Sequence, residues 1–217
     1  MMDTGQSEPK WRRRAEDRPD EVLDASLKLF AQNGFAATKV EDIATEAGIS
    51  KGAVYRYFSS KEEIFESLVK RAIAPIAERT EDLARTSHED SAVLLKAVLT
   101  VAATKLSDPD TLALPRIVLQ EASRFPELAQ TYRRQVIDRA IGALELIIEK
   151  GIARGDFRPV NARLAVRNVI GPLLAHFLLG QTFGIDREAS ASPHSFIESH
   201  YDILMRGLMK PETGEPQ

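Results

Sequence analysis

The chain has 217 residues, 43% apolar and 28% charged, with a formal net charge of −3; this balance excludes an intrinsically disordered chain and allows one large or two small domains with a real core. Cysteine is absent, which removes disulfides, thiolate nucleophiles and sulfur-ligated metals together. The longest apolar runs, such as residues 173–180, fall well short of the roughly 20 residues that span a bilayer, and residues 1–14 hold a basic cluster (Lys10, Arg12, Arg13, Arg14) without a secretory apolar stretch, so a cytoplasmic protein with no membrane segment is expected.

The periodicity is helical almost throughout. A first helix is predicted over 19–33: Pro19 suits the first turn, Val22, Leu23, Ser26, Leu27, Leu29 and Phe30 set the inner face, and Gly34 ends it as a left-handed cap, with Phe35 folding back. Thr38 and Glu41 have the spacing of a capping box for a second helix, carried on by Val40, Ile43, Ala44 and Ala47 and stopped by Gly48. Ser50 caps a third helix over 51–58, with Ile49 and Val54 placed as a hydrophobic staple, and Ser60 with Glu63 starts a fourth. Longer amphipathic helices follow at 61–85 with Pro75 as a kink, then at 92–106, 111–123, 126–154, 161–183 and 193–209; residues 108–110, 155–159 and 184–192 read as loops.

Helices of about seven residues are marginal in water by themselves, so the second and third must be clamped by packing. Two short helices joined by a glycine-containing turn make a helix-turn-helix, whose second helix can lie in the major groove of DNA. On a helical wheel Val54 and Phe58 face inward, Gly52, Ala53 and Arg56 face outward, and Tyr55 and Tyr57 flank that face. Gly52 and Ala53 let the backbone approach base edges, Arg56 can reach guanine or phosphate, and the tyrosine hydroxyls can bond phosphate oxygens. Thr38, Lys39, Lys51 and Lys61 stand at helix starts, whose amides also attract phosphate. The same side chains suit an ordinary solvated face, and charge does not decide: residues 1–61 hold ten basic and ten acidic residues.

The stretch ASLKLFAQNGFAATKVEDIATEAGISKGAVYRYFSSKEEIF, residues 25–65, resembles the DNA-binding domain of the tetracycline-repressor-like (TetR/AcrR) family nearly position for position. The matching pieces are Phe30, Gly34 and Phe35, the Thr38 start, Ile43 and Ala44, Ala47 to Ser50, Lys51 to Tyr55, Tyr57 and Phe58, and Ser60 to Glu62. The resemblance implies an all-α dimeric repressor: an N-terminal three-helix helix-turn-helix DNA-binding domain and a larger C-terminal helical domain for ligand binding and dimerisation. Position by position it implies DNA contacts at Thr38, Lys39, Ser50, Lys51, Gly52, Ala53, Tyr55, Arg56, Tyr57 and Lys61, and packing at Ile43, Val54 and Phe58. Arg56 replaces the histidine more usual before the second tyrosine, which leaves base preference open. EASRFPELAQTYRRQV and EKGIARGDFRPV are similar to segments of a subgroup that includes regulators of multidrug efflux. The expected organisation is a basic flexible arm over 1–15, a DNA-binding domain over 16–65, an effector-binding and dimerisation domain over 66–210 and a disordered tail over 211–217. The arm is either a minor-groove contact or a plain disordered tail.

In the C-terminal half the last two long helices are the expected dimer interface, through Val166, Ile170, Leu174, Phe177 and Leu178 on one and Tyr201, Leu204, Met205 and Leu208 on the other. The alternative is that both stripes fill the protomer's own core. An effector cavity is expected among Leu99, Ala102, Ala103, Ile117, Tyr132, Val136 and His176, each of which also suits ordinary core. The four histidines form no i, i+4 pair, and there is no glycine-rich phosphate loop and no G-x-S-x-G turn, so no enzyme, metal or cofactor is expected. The function expected is a homodimeric repressor on a palindromic double-stranded operator, released by a small apolar effector. A DNA-binding dimer answering to a protein partner is the alternative.

Overall fold

The computed structural model describes residues 18–184 and 192–210. The expected basic arm and tail, and residues 185–191 of the expected loop, lie outside the described residues. The chain runs through α1 (Arg18–Asn33), α2 (Val40–Glu46), α3 (Lys51–Tyr57), α4 (Lys61–Ala72), α5 (Ala74–Thr86), α6 (Ser91–Leu106), α7 (Pro109–Glu121), α8 (Pro126–Tyr132), a π-helical turn (Arg133–Ile137), α9 (Asp138–Arg154), α10 (Ala162–Phe183) and α11 (Pro193–Leu208). The fold is all-α; among the described residues the only β pairing is one isolated bridge between Phe157 and Met209.

Local chemistry sets most of these boundaries. Gly34 and Gly48 take positive φ values of 81° and 67°, a left-handed turn that a Cβ would strain. Ser50 Oγ accepts from the Ala53 amide at 3.2 Å and Ser60 Oγ from the Glu63 amide at 3.1 Å, each satisfying a free donor of the first helical turn. Two long helices of the sequence reading divide. The stretch 61–85 breaks at Ile73 (φ −121°, ψ −38°), and Pro75 lies in the first turn of α5, where a proline ring starts a helix instead of kinking one. The stretch 126–154 is interrupted by the π-helical turn.

The capping box expected from Thr38 and Glu41 is overturned. Lys39 is the N-cap of α2, and its amide donates to Asp42 Oδ2 at 3.1 Å. Thr38 is 1% exposed, and its hydroxyl donates to the carbonyls of Gly34 (2.8 Å) and Leu29 (3.2 Å). The Gly34 carbonyl, in the turn after α1, needs a donor once water is excluded, which occupies the Thr38 hydroxyl and moves the cap one residue on.

Two apolar clusters hold the molecule together. The first gathers Phe30, Phe35, Ile43, Val54 and Phe65 from α1–α4 and the turn after α1, and it includes Leu114, Ile117 and Val118 of α7 with Leu128 and Tyr132 of α8. The N-terminal helices are therefore seated directly on α7 and α8. The second cluster joins Leu95 and Leu99 of α6, Ile147 and Ile148 of α9, Phe157, Val166, Val169 and Leu173 of α10, and Ile197 and Leu208 of α11.

Helix α10 corrects the expectation that no segment is long and apolar enough to span a bilayer. Its stretch Ala162–Gly180 meets that test of length and composition, with 33% of it buried. Counting unbroken apolar runs missed it because Arg167, Asn168 and His176 interrupt a stretch that is apolar on average. Such a helix passes the same test when it covers the core of a globular protein, and α10 packs against α6, α7, α9 and α11.

Candidate nucleic-acid interface

Helix α3 is locked from beneath and open above. Val54 is fully buried and Phe58 nearly so, which fixes the roll of the helix. Lys51, Gly52, Tyr55 and Arg56 are exposed, and Ala53 and Tyr57 half-buried. No heavy atom lies within 4 Å of where a Cβ on Gly52 would stand, so the backbone itself is accessible there. Lys39 and Ser50, the N-caps of α2 and α3, are exposed as well. A backbone that can be approached closely, flanked by tyrosine hydroxyls and cations, can contact base edges and the phosphates on either side of them.

Lys51 is already engaged. Its ammonium forms an ion pair with Glu41 of α2 and lies 5.8 Å from the centre of the Tyr55 ring. The hydrogen bond between them raises the Lys51 pKa and lowers that of Glu41. Sequence reasoning placed Glu41 in a capping box with Thr38; the signal for the pair was an acid and a base ten residues apart across a helix-turn-helix.

Two expected contacts do not join this face. Thr38 is buried, as described above. Lys61 turns inward: its ammonium donates to the carbonyls of Phe35 at 2.6 Å, Thr38 at 2.9 Å and Ala36 at 3.4 Å and lies 4.4 Å from the centre of the Phe35 ring. Burial pushes its pKa down. An ammonium has three donors, and all are committed to the turn between α1 and α2.

The seven residues expected around an effector do not converge. Ile117, Tyr132 and Val136 belong to the first apolar cluster, whereas Leu99, Ala102 and Ala103 belong to the second. His176 lies between α10 and α11, stacked on Phe196 with centroids 4.0 Å apart. Of the seven, Ala103 alone lines either of two described pockets, one of about 310 Å³ with Thr100, Thr104, Ser107 and His194. Burial pushes the Tyr132 phenol well above its ordinary pKa.

The expected dimer stripe lies partly inside the protomer. Val166, Phe177 and Leu208 are buried inside the protomer, and Ile170, Leu178, Tyr201, Leu204 and Met205 pack partly against the same core; Leu174 is half-buried. Tyr201 donates its hydroxyl to the Ala92 carbonyl at 2.9 Å. The apolar side chains facing solvent are instead Leu164 (54% exposed), Leu179 and Phe183 (70%) of α10 and Ile203 (68%) of α11. Leu164, Asn168, Pro172, Ala175, Leu179 and Phe183 recur at helical spacing on one exposed stripe. With His200, Ile203 and Leu204, the first three of them line an open groove of about 580 Å³ between α10 and α11.

Comparison with known proteins matches two stretches of the chain. Residues 22–68 match the family model described as bacterial regulatory proteins, tetR family, and residues 91–191 match the tetracyclin repressor-like C-terminal domain. The chain is 25% identical over 214 residues to the HTH-type transcriptional regulator AcrR of Shigella flexneri, covering 95% of this chain and 99% of that one. In fold it is similar to the SmeT–triclosan complex (TM-score 0.75, 21% identity, 92% of this chain and 98% of that one). It is similar also to the transcriptional regulator FadR of Bacillus subtilis in complex with stearoyl-CoA (TM-score 0.69, 23% identity, 87% and 98%).

Proposed function

The chain belongs to the TetR family of bacterial regulatory proteins, and from that premise we propose that it is a homodimeric repressor that reads a palindromic operator in the cytoplasm and leaves it when a small apolar effector binds. The observation that carries this reading is the exposed face of α3, open at Gly52 and anchored beneath by Val54 and Phe58. Lys39, Ser50, Lys51, Gly52, Ala53, Tyr55, Arg56 and Tyr57 contact DNA; Thr38 and Lys61 shape the turn that positions them. The reading unit is assigned to residues 16–65, and effector binding and dimerisation to 66–210.

Two copies pair through the exposed stripe of α10 and Ile203 of α11, an isologous four-helix contact. Each copy then presents one α3, and the two enter successive major grooves about 34 Å apart. The effector enters between the middle helices and tilts α4; two proteins of similar fold are solved in complex with small apolar or acyl ligands, triclosan and stearoyl-CoA, which supports a ligand-responsive reading. It must bind the released arrangement more tightly than the DNA-bound one, since equal affinity shifts nothing.

Fluorescence anisotropy with duplex DNA of mixed sequence tests the reading at its base. Binding in dilute buffer that weakens steeply with salt is expected. No attraction for any duplex at low salt would contradict it.

A further inference from the structure

The DNA-reading helices are connected to the C-terminal helices by the covalent run into α4 and by a second, non-covalent joint. The Ala36 amide, in the turn between α1 and α2, donates to Oε1 of Glu121 at 3.1 Å. Glu121 is the last residue of α7. Four residues on, the Phe125 ring meets Phe35 edge-on with centroids 5.1 Å apart, and its amide donates to the Glu121 carbonyl at 2.8 Å. The corner between α7 and α8 thus grips two consecutive residues of the turn, one by a carboxylate and one by a ring.

The turn is stiff enough to pass on what it receives. Gly34 sits at φ +81°, and a Cβ there would lie 3.2 Å from Glu121 Oε1, so the carboxylate closes over the backbone. Lys61 ties the Phe35, Ala36 and Thr38 carbonyls together, and the Thr38 hydroxyl ties back to Gly34. Lys39, the N-cap of α2, follows at once. Packed elements move as units between discrete arrangements, so a shift of the α7–α8 corner carries α2 and α3 with it.

We propose that Glu121 is a positioning residue for operator recognition: its bond to the Ala36 amide sets the orientation of α2 and α3 on the C-terminal helices, and hence the separation of the two reading helices in the dimer. The proposal rests on the DNA-reading, dimeric function above and adds a route that bypasses α4.

The experiment compares the full chain with Glu121→Ala and Glu121→Gln. Each protein is titrated against a single half-site, against the palindrome it selects, and against that palindrome with one or two base pairs added at its centre. Glutamine keeps an oxygen that accepts from Ala36; alanine does not. Half-site affinity should stay within about twofold in both variants. Discrimination between native and lengthened spacers should fall about tenfold in Glu121→Ala, the scale of one charge-assisted hydrogen bond, and be retained in Glu121→Gln. Hydrogen exchange over residues 34–40 should quicken in Glu121→Ala alone. Unchanged spacer discrimination in Glu121→Ala, or an equal loss on half-site and palindrome, would overturn the proposal. A wild-type chain that binds no duplex would overturn the functional reading beneath it instead.

Discussion

The Lys61 ammonium donates to the Phe35 carbonyl at 2.6 Å while lying 4.4 Å from the centre of the same residue's ring. A lysine at a helix start is thereby an internal strut of the turn between α1 and α2. Lys61→Ala should lower stability by about 1–3 kcal/mol, because carbonyls lose a charged donor, as read by urea unfolding. It should leave the salt dependence of DNA binding unchanged. Lys51→Ala should leave stability nearly intact and flatten the slope of log K against log salt by about one unit. A flattened slope in Lys61→Ala would place Lys61 on phosphate after all.

The ion pair between Lys51 and Glu41 makes the carboxylate a competitor for phosphate. Glu41→Gln should tighten binding to every duplex alike, by severalfold at low salt, and steepen the salt slope by up to one unit. Both side chains are about half exposed, so melting temperature should barely move. Anisotropy titrations across salt concentrations decide it; weaker binding would mean that Glu41 holds Lys51 in its productive position.

Asp108 caps α7, the helix that ends at Glu121. Its Oδ2 accepts from the Thr111 hydroxyl at 2.7 Å and the Thr111 amide at 3.3 Å, and the hydroxyl bond holds its pKa below the ordinary 3.8. A carboxylate whose folded pKa is depressed adds stability that is complete above the unfolded value and is lost as pH falls through the folded one. Asp108→Ala should therefore cost about 1 kcal/mol at pH 7, and the gap from wild type should narrow below about pH 4. Paired thermal melts at stepped pH measure it, and a gap that widened in acid would contradict the assignment.

The exposed stripe of α10 and α11 separates dimerisation from folding. Ile203→Glu changes a side chain that is 68% exposed in the protomer; it should yield a folded monomer by sedimentation and lose palindromic operator affinity while keeping half-site binding. Leu208→Ala, at 4% exposure, should lower stability by about 2–5 kcal/mol through a core cavity with the dimer still forming. If Leu208→Ala alone dissociated the dimer, the sequence-derived interface would stand.

What was legible in the sequence was local. Gly34 and Gly48 need the left-handed turn, Ser50 and Ser60 cap the helices that follow them, and Val54 and Phe58 sit four residues apart on a short helix. What was not legible depended on partners distant along the chain. Thr38 with Glu41 and Lys39 with Asp42 satisfy the capping pattern one residue apart, and carbonyls as distant as Leu29 decide between them. The reach of Lys61 back across 26 residues leaves no periodic trace. In α10 two apolar stripes run side by side, one through Val166, Val169, Leu173 and Phe177 and one through Leu164, Pro172, Ala175, Leu179 and Phe183. The sequence reading followed the first stripe and passed over the second, because periodicity does not say which stripe is covered by the same chain.

The central claim is that two copies of α3, held at a fixed separation, read DNA as a symmetric pair. Selection of bound fragments from a random duplex pool, followed by sequencing, tests it most directly. An inverted repeat whose half-sites lie one helical turn apart, about 10 base pairs centre to centre, is the predicted result; recovery of single unpaired sites, or of no preferred sequence at all, would contradict it.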